Sequence, residues 1–338
     1  MTSYTNKSTT TFYQAPSTIA TWQGICPTDQ PNEYLVTGTQ EGAIGALYKG
    51  PANIASDAII NNINYPNATS TSVYGPEYIS DNKINLVGSY QVGTVGVIYP
   101  CFGFGYSGSL TDIDNKNNYF TIEPIEQYKY TVVHSIRAGL AVYISSDLSQ
   151  LNFNIGKSFI YDIDKKETIA DVLYPNSTYT TTYGIWYNGQ IKNFDFYTIS
   201  GGFSITGSPL DTRIFVVDFY YNRYTNKMYF ENWTELKIPE ITLYTHAQGI
   251  SGLSEDVYVL PIANFYLESP NDITLSTMSG GKMQIKRVNG TFIVVKYDSI
   301  NFPQAKLTIV TSAAENAVVG VGINSSNTAF SFEAITKK

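Results

Sequence analysis

The stretch NNINYP (61–66) is a short β-type run that ends at a proline, and it has five counterparts along the chain. They are TTFYQAP (10–16), YFTIEP (119–124), VLYP (172–175), ELKIP (235–239) and SINFP (299–303). Successive prolines lie 50, 58, 51, 64 and 64 residues apart, and joining the two chain ends gives one further interval of 51 residues. A repeat of roughly 50 residues built from short β-type runs is typical of a propeller, whose units bury their faces only against neighbouring units. The spacing therefore predicts a closed ring of six units.

Each unit is predicted to contain four strands. The first strand follows the proline and ends at a small residue: Gly24, Gly75, Ser135, Gly184, Gly249 or Ala313. Because inner strands converge at the axis of a ring, a small residue lets their backbones approach, and we assign this run to the innermost strand. The second strand is rich in Val, Ile, Tyr and Thr. The third carries a G-x-x-Y-x-G-like signature in GALYKG (45–50), GFGYSG (103–108) and SFIYDI (158–163), with looser copies at 214–219, 282–287 and 329–334. The proline-terminated run is the outermost strand, where a missing backbone donor is tolerated.

The predicted fold is an all-β, six-bladed propeller with four antiparallel strands per blade. The blades are expected at about 17–66, 67–124, 125–175, 176–239, 240–303, and 304–338 together with 9–16. In this register the N-terminal strand TTTFY (9–13) pairs beside 329–334 and closes the last blade, which removes an open sheet edge. No linker or charge run divides the 338 residues, so one domain is expected.

The composition excludes several classes of partner. The formal net charge is −7 and no basic stripe is present, which argues against nucleic-acid binding and against an anionic membrane surface. There is no apolar run of 18 residues, so no membrane span is expected, and the first residues do not have the pattern of a signal peptide. Charged residues make up 14% of the chain, below a typical value of about 25%. This composition favours a secreted or extracellular protein, exported by an unidentified route, and we expect a monomer.

No motif for a cofactor, a metal or a catalytic centre is present. The sequence lacks a P-loop, a dinucleotide fingerprint and a sialidase-type box. With two cysteines and two histidines no metal cluster is expected, and Cys26 and Cys101 are predicted to be free thiols. Five carboxylates lie near the inner strands, but no spacing among them identifies an acid/base pair. They are Asp29, Glu77, Glu255, Asp256 and Glu315. We therefore predict no catalytic residue, no cofactor and no metal site.

The candidate ligand-binding residues immediately precede the small residue of the innermost strands. They are Gln23, Tyr74, His134, Tyr183 and Gln248. At this position they would surround one level of the central axis and offer aromatic faces and neutral hydrogen-bonding groups to a ligand. The alternative is that the same side chains pack and form hydrogen bonds between blades, as buried polar groups must.

Three segments resemble a family of uncharacterised bacterial repeat proteins related to the HAF-type extracellular repeats. They are NYPNATSTSVYGP with NLVGSY (64–90), GKSFIYDIDKKETIADVLYPNSTYTTTYGIWYNG (156–189) and NWTELKIPEITLYTHAQGISG (232–252). The resemblance spans nearly the whole chain and is based on G-F-L-Y-x-G, Y-P-G-A and G-I-N elements. It implies a bacterial origin and a propeller fold, and it carries over no catalytic residues.

The leading functional hypothesis is a non-enzymatic binding propeller for an extracellular ligand, with a glycan or a surface protein as the expected ligand. A charge-poor surface rich in Tyr, Asn and Thr suits neutral polar ligands. Four long connections between second and third strands, 91–102, 145–157, 203–213 and 264–281, are expected on one face of the ring, where binding residues often lie. The alternatives are a glycan-active hydrolase or lyase, and a structural or toxin/effector interaction module.

Overall fold

The computed structural model describes residues 10–93, 100–123, 125, 129–146, 156–207, 211–238, 245–269, 272–303 and 305–336. In these ranges the only helical residues are two 3₁₀ turns, Leu110–Asp112 and Lys116–Asn118. The prediction of an all-β chain is confirmed. The predicted outer-strand prolines Pro124 and Pro239 lie outside the described residues.

The chain begins with a strand that pairs far along the sequence. Strand β1 (Thr10–Gln14) lies antiparallel to the last strand, β25 (Ala329–Thr336), with Phe12 opposite Ala334. This pairing of the two ends of the chain is the one that the sequence predicted, and it is confirmed. The first sheet follows as a meander of four strands: β2 (Ile19–Pro27), β3 (Tyr34–Gln40), β4 (Ile44–Gly50) and β5 (Asn61–Ile63).

The second sheet has eight strands. Its first half contains β6 (Ser70–Ser80), β7 (Lys83–Gln91), β8 (Cys101–Gly108) and β9 (Tyr119–Ile122). Its second half contains β10 (Tyr130–Arg137), β11 (Leu140–Ser146), β12 (Gly156–Asp162) and β13 (Glu167–Val172). The halves are joined by one parallel residue pair, Tyr130 with Cys101.

Three sheets complete the described chain. The third contains β14 (Tyr179–Ile191), β15 (Phe194–Ser204), β16 (Arg213–Asn222) and β17 (Lys227–Leu236). The fourth contains β18 (Thr245–Ala247), β19 (Ser251–Ser254), β20 (Val257–Ser269), β21 (Asp272–Val288) and β22 (Thr291–Ile300). The closing sheet contains β23 (Ala305–Ala314), β24 (Ala317–Asn324), β25 and β1. Hydrogen bonding thus gives five sheets, and not six separate sheets of four strands.

The sheets succeed one another around an axis in a propeller arrangement. The closing sheet packs against the first sheet, where the Trp22 amide donates to Ser331 Oγ at 3.0 Å and Thr311 Oγ1 donates to the Trp22 carbonyl at 2.9 Å. The ring is therefore closed both by the β1–β25 pairing and by contacts between the last and first sheets.

Alternate residues of one strand pack against opposite neighbours, which explains the nearly continuous apolar runs in the sequence. In the first sheet, Leu47 packs with Val73 of the second sheet. The adjacent Ala46 and Tyr48 pack in a different cluster with Val319 of the closing sheet. Each sheet therefore contributes to two cores, and no sheet can bury its apolar surface alone.

The structure corrects two details of the predicted register. The segment 264–281, expected to be a connection, lies mostly in the long hairpin of β20 and β21. The signatures at 282–287 and 329–334 are displaced by two residues, because Gly280 and Ser331 correspond to Gly45 and Gly103 in the pairing with the preceding strand. An added Cβ would lie close to a valine side chain of the next inner strand, at 2.7 Å for Gly280, 2.9 Å for Gly45 and 2.7 Å for Gly103.

Candidate functional site

A β-bulge in the innermost strands places the predicted axial residues. The register of β2 shifts between Trp22 and Gly24, and β6, β10 and β14 shift at the corresponding place. The residues inside these shifts are Gln23, Tyr74, His134 and Tyr183. A bulge re-aims the side chain of its extra residue, so these side chains leave the normal alternation of the strand.

The fourth and closing sheets vary this arrangement. In the fourth sheet the inner strand is interrupted between β18 and β19. Here the backbone amide of Gln248 donates to the Pro261 carbonyl at 2.8 Å. In the closing sheet the shift lies between Val310 and Ser312. The small residue of this sheet is therefore Ser312, one position before the predicted Ala313.

The small residues after the bulges permit close contact between neighbouring inner strands. A Cβ atom on Gly24 would lie 2.1 Å from the carbonyl oxygen of Tyr74, and one on Gly184 would lie 2.5 Å from the amide nitrogen of Ile250. Real Cβ atoms do not approach backbone atoms this closely. The steric reason that we gave for small residues at the axis is supported at these positions.

Aromatic and imidazole rings follow one another around the axis. The ring centroids of Tyr74 and His134 are 5.3 Å apart, those of His134 and Tyr183 are 4.5 Å apart, and those of Tyr183 and His246 are 4.9 Å apart. The side chain of Gln248 forms a hydrogen bond with the His246 ring. Burial raises the pKa of Tyr74, against smaller opposing effects of the Ser89, Gln23 and Ser72 side chains. The structure thus brings all five predicted residues together, with His246 as an additional member.

Burial keeps this ring of side chains uncharged. Desolvation, with a smaller contribution from His246, lowers the pKa of His134 to about 3. Desolvation lowers the pKa of His246 to about 4 and raises that of Tyr183 to about 12. Both imidazoles and the phenol are therefore neutral at physiological pH.

The axial cavity is small. Its volume is about 30 Å³, and its lining includes the five predicted residues together with Ser135, Arg137 and Ser312. The Oε1 atom of Gln23 is buried without a hydrogen-bond partner. A polar cavity holds one water molecule in roughly 10–15 Å³, so this space suits one or two waters. Phe203, the first residue of the predicted connection 203–213, is instead buried in β15 and stacked on Tyr174, with ring centroids 3.6 Å apart.

A larger cleft lies between the fourth and closing sheets, and we call it the Lys282 cleft. Its volume is about 650 Å³, which is within the range of roughly 300–1,000 Å³ common for ligand sites. Its lining combines amide, hydroxyl, ammonium and carboxylate groups with two aliphatic side chains: Asn32, Leu253, Ser254, Val257, Lys282, Gln284, Lys296, Asp298, Glu315, Asn316 and Thr336. Of these residues, sequence reasoning had singled out only Glu315.

The cleft arises where one repeat position carries a charge in place of an aliphatic side chain. Two residues after the glycine of the third-strand signature, the first sheet has Leu47, fully buried against the second sheet. The corresponding Ile160 of β12 is fully buried against the third sheet. The fourth sheet has Lys282, whose ammonium donates to the Glu315 carbonyl at 2.9 Å and to Thr336 Oγ1 at 3.0 Å. An ammonium cannot fill this position as Leu does, and the space beside it stays open.

Three of the five acids weighed in the sequence lie at separate places, each with its own partner. Glu77 accepts from the Ala138 amide at 2.5 Å, and Asp29 accepts from the Tyr78 hydroxyl at 3.0 Å. Asp256 forms a salt bridge with Arg287. In the described ranges, His, Cys, Asp and Glu side chains form no group of three or more that could hold a metal ion. Nor does this part of the chain contain a helix that is long and apolar enough to span a membrane.

Solved structures match this chain, whereas no family model and no curated protein does. A protein of unknown function from Dyadobacter fermentans is 9% identical with a TM-score of 0.54, over 96% of this chain and 97% of that one. An α-L-arabinofuranosidase from Lactobacillus brevis is 10% identical with a TM-score of 0.46, over 83% of this chain and 95% of that one. The SapL1 lectin, in complex with α-methyl fucoside, is 11% identical with a TM-score of 0.45, over 90% of this chain and 89% of that one.

These matches concern the fold alone. At identities near 10% the Dyadobacter protein supports the architecture and nothing more, and the other two matches carry no argument about function. The resemblance to HAF-type repeats stays a prediction.

Proposed function

We propose that this chain is a non-enzymatic propeller that binds a glycan in the Lys282 cleft. The observation that carries the proposal is the mixed lining of a cleft of about 650 Å³. Saccharides present many hydroxyl groups and a small apolar face. Asn32, Gln284 and Asn316 can form hydrogen bonds with hydroxyls, and the 37% exposed side chain of Leu253 offers apolar contact.

The test is a glycan array probed with the full chain and with two matched variants. Ser254 ends β19 at the rim of the cleft, and Ser80 ends β6, the inner strand of another sheet. Both serines are exposed. Ser254→Trp is expected to block the cleft and abolish binding, whereas Ser80→Trp is expected to bind like the parent. An array without any bound glycan, or equal binding by both variants, would refute the proposal.

The predicted axial site is a separate proposal. Because its cavity suits one or two waters, we propose a water-sized neutral occupant for the ring of Gln23, Tyr74, His134, Tyr183 and Gln248. The variant with both Tyr74→Ala and Tyr183→Ala is then expected to bind glycans like the parent. If this double variant loses glycan binding while Ser254→Trp retains it, the glycan lies at the axis, as the sequence suggested.

A hydrolase is the second candidate because two carboxylates, Asp298 and Glu315, line the same cleft. A pair of carboxylates can act as acid and base in glycoside hydrolysis when suitably spaced. Asp298, however, is engaged in a salt bridge of 2.8 Å with Lys296. A turnover assay of the parent, Asp298→Asn and Glu315→Gln on each glycan that binds tests whether the chain is a hydrolase. Product formation that is lost in both variants would favour the hydrolase.

We also propose that the ring has six blades with the boundaries predicted from the sequence. The support is that a single residue pair joins the two four-stranded halves of the second sheet. In the fourth sheet, β18 and β19 pair with the same strand, β20, and act as one interrupted inner strand. Each blade would then have four strand positions. An experimental structure with another number of blades would refute this count.

The proposed setting is extracellular, and the proposed state is a monomer. Desolvation raises the pKa of both Cys26 and Cys101 to about 11, so the buried free thiols suit an oxidising environment. Light scattering at low concentration should give a mass near 37.5 kDa. A mass of twice that value would refute the monomer.

A further inference from the structure

Lys282 differs in its partners from Lys296, the other lysine of the cleft. Its two hydrogen bonds go to neutral oxygens, the carbonyl of Glu315 and the hydroxyl of Thr336. None of the salt bridges within the described ranges includes Lys282, whereas Lys296 forms one with Asp298 at 2.8 Å. Lys282 therefore brings a positive charge into the cleft without a bound counter-ion.

The two carboxylates that line the cleft beside Lys282 form no salt bridge with it in the described ranges. Asp298 belongs to the pair with Lys296. Glu315 contacts the Lys282 ammonium through its backbone carbonyl, and its carboxylate lies near Tyr34, whose pKa burial and this carboxylate raise to about 12. The Tyr34 hydroxyl itself donates to Asn316 Oδ1 at 3.0 Å. Neither carboxylate therefore serves as the counter-ion of Lys282.

The unpaired ammonium is costly as it stands. Desolvation, helped by the like charge of Lys296 and opposed by Asp298, lowers the pKa of Lys282 to about 8. A buried charge without a counter-ion is unfavourable, and an anion beside it restores a charge-assisted hydrogen bond. The third hydrogen of the ammonium is available for such a bond, since the other two are used.

We propose that the Lys282 cleft selects acidic saccharides, with the ammonium of Lys282 binding the carboxylate of a uronic-acid or similar sugar. This inference rests on the proposed glycan-binding function and adds the chemical class of the ligand. The amide and hydroxyl groups of the cleft would hold the sugar ring, and Lys282 would discriminate its acidic group. A charge-assisted hydrogen bond of this kind is expected to favour the acid by about tenfold or more in affinity.

The test compares two forms of one probe, an oligogalacturonide and the same oligosaccharide with its carboxylates methyl-esterified. Titration calorimetry with the parent should show at least about tenfold tighter binding of the acid. Lys282→Met keeps the length of the side chain and removes its charge. This variant is expected to bind both the acid and the ester with the affinity that the parent shows for the ester. Thermal unfolding checks that the variant folds. Lys286→Met, at an exposed position of the same strand, is the control and should retain the preference.

The outcomes separate this inference from the proposed function. Equal binding of acid and ester by the parent would refute the selection of acids and leave glycan binding intact. A preference that survives in Lys282→Met would assign it to another residue and also refute the inference. If neither form binds, and no neutral glycan on the array binds either, the proposed function itself fails.

A pH series provides a readout that a purely structural lysine would not affect. Because the free ammonium loses its proton near pH 8, the preference for the acid should decline between pH 6.5 and 10. The other charged groups facing this position, Lys296, Asp298 and Glu315, remain in the Lys282→Met variant. Its ratio of affinities should therefore stay flat, and a decline of equal size in both proteins would refute the assignment.

Discussion

Replacing Glu333 with glutamine is expected to stabilise the chain at pH 8 and to change its stability little at pH 5. Glu333 lies on β25 with none of its surface exposed. Its Oε1 atom accepts a hydrogen bond of 2.5 Å from the Trp22 indole of the first sheet, and its Oε2 atom is buried without a partner. The carboxyl therefore lies within the junction that closes the ring, where an ionised group is unfavourable.

The expected size of the effect follows from the pKa of this group. Desolvation raises the pKa of Glu333 from 4.5 to about 8, against a smaller opposing effect of the Trp22 hydrogen bond. The folded chain holds the proton between these values and the unfolded chain does not. Stability is thus greatest below pH 4.5 and declines by about 1.4 kcal/mol per pH unit until about pH 8. Between pH 5 and pH 8 the parent loses about 3–4 kcal/mol of its free energy of unfolding through this group. The Glu333→Gln variant would not show this loss, because glutamine does not titrate.

The assay is thermal unfolding of the parent and of Glu333→Gln at both pH values. For a chain of this size, 3–4 kcal/mol corresponds to roughly 5 °C in the midpoint. Other titrating groups act equally on both proteins, so the difference between the two proteins isolates Glu333. Glu41→Gln, at an exposed turn position, is the control and should follow the parent. A difference between Glu333→Gln and parent that is the same at pH 5 and pH 8 would refute the reasoning.

Three further predictions concern the axis, the ring closure and the thiols. Gly184→Ala should destabilise the fold by about 2 kcal/mol or more, because its Cβ would meet a backbone nitrogen at 2.5 Å, whereas Gly249→Ala meets only a proline side chain at 3.4 Å. Equal midpoints of Gly184→Ala and Gly249→Ala in thermal unfolding would contradict the expected close contact at Gly184. Deleting residues 1–16 removes β1 and exposes the edge of β25, so a fall in midpoint or insolubility is expected, and an unchanged midpoint would show that the pairing is dispensable. Cys26 and Cys101 should not react with a thiol reagent at pH 8 until the chain unfolds, and labelling of the native chain would show that they are accessible.

The fold could be predicted because its determinants recur in each unit. A proline after the outer strand and a small residue in the inner strand are local features, and each has a steric reason that is independent of the rest of the chain. The register was wrong in two of the three units that lack the tyrosine of the signature, at 282–287 and 329–334, whereas 214–219 was placed correctly. In the fourth sheet the glycine that contacts the next sheet is Gly280, two residues from the start of the predicted segment.

The site was predicted only in part, because its size depends on distant residues. The position before each small residue does place Gln23, Tyr74, His134, Tyr183 and Gln248 around one cavity. The local sequence does not indicate that the cavity has room for only one or two waters. The Lys282 cleft was missed for a similar reason, since it forms from residues of the first, fourth and closing sheets that are far apart in the sequence.

Lys282 and Glu333 show how one repeat position can have two outcomes. Both residues lie two positions after the residue that contacts the next sheet, Gly280 in β21 and Ser331 in β25. At this position three other units bury Leu47, Ile160 or Val216, and the remaining unit has Gly105 with the Phe120 ring beside it. Burial shifts both pKa values toward the neutral form, to about 8 in each case. Opposite Glu333 stands the fully buried Trp22, which fills the junction and donates a hydrogen bond, so this residue is part of the ring closure. No such group covers Lys282, whose junction remains open as a cleft of about 650 Å³. At a position that departs from the packing rule and stays open to solvent, a bound ligand can offset the lost stability, and this is the physical reason for proposing the cleft as the binding site.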